Sequence, residues 1–183
     1  MEILLSILLG ISLAAAVGFR IFVPLLVISI ASLAGHLNLS AGFEWIGTYS
    51  AFIIFFVASI FELAAYYIPF VDNLLDTIAG PAAIVAGSVV MASSIVELSP
   101  IIKWTLAIIA GGGTAGLIQS LTTITRGASS VTTAGIGNPI VSTTETIASL
   151  GISILAIFFP LFIGVFVFLF LIWGAKKVFQ KIH

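Results

Sequence analysis

The sequence predicts an all-α fold, a polytopic integral membrane helical bundle forming a single domain over residues 1–183, and three observations carry that prediction. Of the 183 residues, 61% are hydrophobic and 7% charged, against roughly 25% charged in an ordinary soluble domain. The mean hydropathy is +1.32. Several apolar runs approach or exceed the ~18 residues that mark a membrane segment. Six Lys and Arg with seven Asp and Glu cannot cover a 19.1 kDa globule, so the lipid bilayer is the expected solvent and partner. Without cysteine there is no disulfide, thiolate metal site or Cys nucleophile. A net charge of −1 leaves no nucleic-acid footprint.

About six membrane segments are expected, some short or broken, at residues 3–17, 21–36, 46–68, 78–96, 100–124 and 149–174. The first resembles a signal peptide in length, but it carries Glu2 in place of a basic residue and stays apolar past Arg20 to Leu33, so it is expected to be mature structure. Gly18 to Pro24 separates the first two segments. At about 15 residues each they reach roughly 22 Å, against a ~30 Å hydrocarbon core, and form either two spans or a re-entrant hairpin. Gly35 to Gly42 is a polar turn, Pro69 closes the third segment, Pro81 suits the first turn of the fourth, and Ser99-Pro100 opens the fifth. Residues 125–139, rich in Ser, Thr and Gly and ending in Asn138-Pro139, are expected to be irregular backbone, with a short helix restarting near Ile140. Lys176, Lys177 and Lys181 beyond Trp173 place the C-terminus in the cytoplasm. Six crossings then put the N-terminus and Lys103 on that same side.

Six of the other charges fall at the opposite, non-cytoplasmic ends of the segments: Arg20, Glu62, Asp72, Asp76, Arg126 and Glu145. Ionisable groups at membrane depth are costly unless paired or hydrated, so these six form a candidate functional cluster. The plainer alternative is a set of interfacial charges that anchor helix ends. Asp76-Thr77-Ile78-Ala79 recurs as Glu145-Thr146-Ile147-Ala148, each a few residues after a proline, a weak internal repeat of the kind that builds transporter sites from interrupted helices. Each copy is expected to be a short acid-bearing half-helix followed by a long apolar helix. Asn73, Thr133, Asn138 and Thr143 add amide and hydroxyl oxygens suited to a hard cation or a proton relay. Pro139 should leave carbonyls around Gly135 to Gly137 free, and Asp76 should lie within about 12 Å of Glu145, a span that bridging waters or a ligated ion can cover. The small residues from Ala110 to Gly116 suit close packing, with Ala14 to Gly18 as partner surface.

Gly18-Phe19-Arg20 with Pro24, then Glu62 with Ile68-Pro69 and Val71-Asp72-Asn73-Leu74-Leu75-Asp76, then Gly135-Ile136-Gly137-Asn138-Pro139 with Ser142-Thr143 and Glu145, resemble the small bacterial and plastid membrane family called domain of unknown function 4126. Members commonly end the third helix with more polar residues than the Ala65-Tyr66-Tyr67 found here. The resemblance implies the architecture and the importance of these positions, and it implies no activity. The expected setting is a bacterial inner membrane.

Three functions are compatible with these residues. The leading one is a small transporter or permease, proton- or cation-coupled, acting on a small solute, ion or lipid and assembled as a homodimer because six short helices bury little surface. Its polar cavity would be lined by the paired acids and arginines, with no cofactor other than a bound cation. The second is a non-transporting scaffold whose charges pair internally. The third, a metal-dependent membrane enzyme, would use Asp72 and Asp76 at i and i+4 to hold Mg²⁺ on a pyrophosphate. It is the weakest, because a second Asp-rich element, or an Asp-Gly with a following Ala-Arg, does not occur. His36 and His183 lie too far apart in sequence to suggest a metal pair.

Overall fold

The computed structural model describes residues 1–68, 71–96 and 98–182, with side chains described except at 72, 73, 174, 175 and 177–182. It is all-α. Among the described residues seven helices follow one another: α1 (Glu2–Phe19), α2 (Phe22–Leu33), α3 (Tyr49–Ala65), α4 (Val71–Ser94), α5 (Pro100–Thr133), α6 (Asn138–Phe158) and α7 (Pro160–Ile182), with a 3₁₀ turn at Glu44–Gly47 before α3. Four of them, α1, the Leu74–Ser94 part of α4, α5 and α6, are long and apolar enough to cross a membrane.

The most enclosed helix is α1, with Leu13, Ala14, Ala16 and Val17 fully buried. It packs against α4, α5, α6 and α7, while α2 and α3 pair on one flank. Close approach at its C-terminal end depends on Gly18, where an added methyl carbon would lie 2.5 Å from Ile118 Cβ and 2.7 Å from the Ala115 carbonyl oxygen of α5. Gly111 and Gly112 press α5 against Met91 and Ser88 of α4 in the same way. The Ala110 to Gly116 and Ala14 to Gly18 stretches therefore do pack, α5 taking up both neighbours, and α5 is wound as a π-helix over Ala107–Gly112 at this crossing.

Several boundaries differ from expectation. Residues 125–133 continue α5 as regular helix, because Thr125, Thr132 and Thr133 turn their hydroxyls back on the carbonyls of Leu121, Ala128 and Ser129. Only Ala134 to Gly137 form a turn, with Ala134 and Gly135 at φ of 53° and 83°. The carbonyls of Gly135 and Gly137 are not free, since they accept from the N–H groups of Asn138, and of Ile140 and Val141. Helix α4 begins at Val71 and runs through Pro81, so Asp72 and Asp76 sit inside a continuous helix, and α6 is likewise unbroken from Asn138. The apolar stretch 149–174 divides at Phe159-Pro160 into α6 and α7. Pro69 lies outside the described residues.

The added helix changes the chain's parity. At one end of the bundle Lys103 Nζ donates to Ser40 Oγ at 2.8 Å, the Ser40 N–H donates to the Ser93 carbonyl, and the rings of His36 and Phe158 lie 6.1 Å apart. From that end α7 runs parallel to α1: Gly164 packs against Leu8, while Phe170 shares a cavity wall with Phe19. Lys176 thus emerges at the end opposite Lys103, contrary to the six-segment expectation.

Candidate functional site

The site is built at the Arg20 end of the bundle, where α1, α4, α5 and α6 each contribute or position one ionisable group and α3 supplies two, Glu62 and Tyr66. Arg20 follows α1 directly and is 1% exposed; Arg126, in the C-terminal half of α5, is 2% exposed. Helix α6 delivers Glu145 from its second turn, with Oε2 3.2 Å from Arg20 Nη2 and accepting also from Arg126 Nη1. One carboxylate oxygen therefore bridges two guanidiniums. Asp76 of α4 takes Arg126 with both of its oxygens, accepting from Nε at 3.0 Å and from Nη2. Such forked pairing is geometrically specific to arginine.

Tyr66, immediately after α3, lies under both cations, with its ring centroid 4.1 Å from the Arg20 guanidinium carbon and 4.6 Å from that of Arg126. Two like charges are held close here by one aromatic ring and one shared carboxylate. Arg20 is further fixed by donating from Nε to Thr146 Oγ1 at 3.1 Å and from Nη2 to the Ser142 carbonyl at 2.9 Å. Glu62, in the last turn of α3, accepts from the backbone N–H groups of Ile21 and Phe22 at 2.7 and 3.0 Å. It satisfies donors that the first turn of α2 leaves without intrahelical partners.

Of the residues singled out in the sequence, Arg20, Glu62, Asp76, Arg126 and Glu145 are brought together. Asp76 and Glu145 share the Arg126 guanidinium, well inside the expected 12 Å, and the two copies of the weak repeat supply matched acids to one cation. Thr143 stands at the rim, its hydroxyl 2.7 Å from the Tyr67 hydroxyl. Thr133 and Asn138 have their described contacts in the turn between α5 and α6: Thr133 accepts from the Gly137 N–H, and Asn138 Nδ2 donates to Ser130 Oγ. The side chains of Asp72 and Asn73 lie outside the described residues. Tyr66 and Thr146 were not anticipated as members, whereas Ser142 stood among the family-like positions.

The network is incomplete in three buried places. Arg20 Nη1, Glu145 Oε1 and Ser142 Oγ have no hydrogen-bond partner among the described residues. Two cavities flank the cluster, one of about 490 Å³ with Glu62 and Tyr66 in its wall and one of about 330 Å³ with Glu145 in its wall. Among the described residues no three His, Cys, Asp or Glu side chains are grouped so as to hold a metal ion.

The model of one family, described as domain of unknown function (DUF4126), matches residues 7–179. No curated protein and no solved structure matches the chain.

Proposed function

We propose, for a chain that belongs to this family of unknown function, that it is a small membrane permease whose buried charge cluster couples transport to a proton or a cation. The observation that supports the reading is the imbalance of the cluster: among the described residues three acids, Glu62, Asp76 and Glu145, are gathered with two arginines, Arg20 and Arg126. The N-terminus of α2 offsets part of the excess, since a helix terminus supplies about half a positive charge. An uncompensated negative charge at membrane depth remains costly, and a proton or cation joining the cluster removes the cost. Glu145 is the natural acceptor because its Oε1 is unoccupied while its Oε2 bridges the two arginines. Neutralising Glu145 weakens the bridge among α1, α5 and α6, which links ion binding to helix movement.

The three C-terminal lysines favour a cytoplasmic C-terminus. Because α7 ends at the cluster's end of the bundle, the cluster then faces the cytoplasm, the reverse of the side expected from six segments.

The test is a charge-displacement measurement on proteoliposomes adsorbed to a sensor membrane. A rapid jump in pH, Na⁺ or K⁺ should give a transient current above that of protein-free liposomes, and Glu145→Gln should remove it. No current under any of the three jumps would favour the internally paired scaffold instead. That second reading draws support from the two-oxygen grip of Asp76 on Arg126, which resembles a structural clamp.

A further inference from the structure

Helices α3 and α4 follow one another in the chain yet touch little, and the cavity of about 490 Å³ opens between them. Ala58, Phe61 and Ala65 of α3 form one wall and Leu75, Ile78 and Ala82 of α4 the other. Phe61 and Ile78 are 71% and 57% exposed on the outside of the bundle, so the cleft opens on the flank that faces lipid. Its lining runs from Tyr66 to Ala58 along α3 and from Leu75 to Ala82 along α4. These are about 12 and 10 Å of helix, most of the depth of one leaflet of a ~30 Å hydrocarbon core.

The described wall is apolar but for Glu62 and Tyr66. Glu62 spends both carboxylate oxygens on the N–H groups of Ile21 and Phe22, which leaves at most the Tyr66 hydroxyl to meet an occupant. An ordered water needs about two to four polar partners, and this wall does not supply them. An empty cleft would forfeit the dispersion contacts of every side chain that lines it. Hydrocarbon is what the bilayer supplies at this depth and what such a wall can pack against. At about 30 Å³ per methylene-sized unit, the share of a water in its liquid, the cavity takes about 16 units, enough for the chains of one lipid over that depth. A helix of a second copy, about 10–12 Å across with its side chains, would need roughly twice the volume.

We propose that the cleft between α3 and α4 binds the hydrocarbon chains of one phospholipid from the leaflet on the cluster's side. The chains fill the gap that holds α3 off α4. They pack against Tyr66 from the cleft, while Arg20 and Arg126 hold the same ring from within the bundle. The lipid thereby supports the aromatic platform of the cluster without a hydrogen bond to any of its charged groups. It belongs to the resting fold and is independent of any ion the cluster carries.

In the experiment the full chain is taken from nanodiscs of phosphatidylcholine into detergent and weighed intact by native mass spectrometry. One phospholipid should stay on each chain after an exchange that strips bulk lipid. Ala58→Phe and Ala82→Phe fill the cleft from opposite walls, and each should lower that occupancy about tenfold by displacing the chains from their contacts. Ile124→Phe, on an exposed face of α5, should leave it unchanged. Phosphatidylcholine added back to the stripped parent chain should raise its unfolding temperature and saturate at one lipid per chain, a readout that needs no variant to fold. No retained lipid, equal occupancy in the parent and both cleft variants, equal loss in Ile124→Phe, or a rise that does not saturate would each overturn the proposal. A lipid-free dimer that Ala82→Phe dissociates would overturn it in favour of a second copy of the chain in the cleft.

Discussion

Glu62 shows how one side chain in the cluster serves the fold as well as the site. Its carboxylate accepts from two backbone donors at the start of α2, 2.7 and 3.0 Å away, and so closes an end that no side chain of α2 itself caps. Glu62→Gln keeps one acceptor oxygen and sets an amide N–H₂ against the other donor. The expected cost is about 1–3 kcal/mol, read as a lower unfolding temperature in detergent; an unchanged temperature would mean that the cap carries no stability. That the charged residues belong together was legible in the sequence, because an ionisable group amid apolar neighbours stands out whatever the fold. Tyr66 was not legible. A tyrosine at a helix end reads as an interfacial anchor, and only the arrival of Arg20 and Arg126 from two other helices turns its ring into their common platform. Thr146 was hidden for the same reason, since a hydroxyl in a Ser/Thr-rich helix carries no sign of whether it faces lipid or an arginine.

Among the helices, α5 depends most on residues that lack side chains. Gly111 lies where an added methyl carbon would meet the Gly87 carbonyl oxygen and Met91 Cβ at 2.6 Å each, so Gly111→Val must push α5 away from α4. The expected loss is about 1–3 kcal/mol, as for other overpacked interfaces. Gly127 in the same helix has nothing within 4 Å of an added methyl carbon, and Gly127→Ala should stabilise by about 0.5–1 kcal/mol through helix propensity alone. Thermal unfolding of the two variants should move in opposite directions; a fall of equal size in both would mean that propensity, not contact, sets the value of these glycines. The small-residue pattern was readable because it concerns packing, to which composition responds directly. Two boundaries were not. Residues 125–133 look like a loop from their hydroxyls, which are in fact satisfied within the helix. The Pro160 break is flanked by Phe158, Phe159, Leu161 and Phe162, with no polar residue to mark a turn, and proline is tolerated inside membrane helices.

That single misplaced break decides the layout of the whole molecule. A stretch of 26 residues from 149 to 174 would measure about 39 Å as one helix, longer than the ~30 Å core but short enough to fit with tilt, so length alone does not expose the division. Once α6 ends at Phe158 and α7 starts at Pro160 beside His36, α7 must return alongside α1, and the enclosed α1 gives the chain a core of its own. The termini lie at opposite ends of the bundle, with Lys176 at the cluster's end and Lys103 at the other. The chain has no native cysteine, so single cysteines can be placed at 103, at 176 and at Ile136, which is 82% exposed in the turn between α5 and α6. An impermeant maleimide should label positions 136 and 176 alike and position 103 oppositely. With the C-terminus cytoplasmic, position 103 should react in intact cells and the other two only after permeabilisation. Labelling of 103 and 176 from the same side would restore the even number of crossings and return the charge cluster to the face opposite the C-terminal lysines.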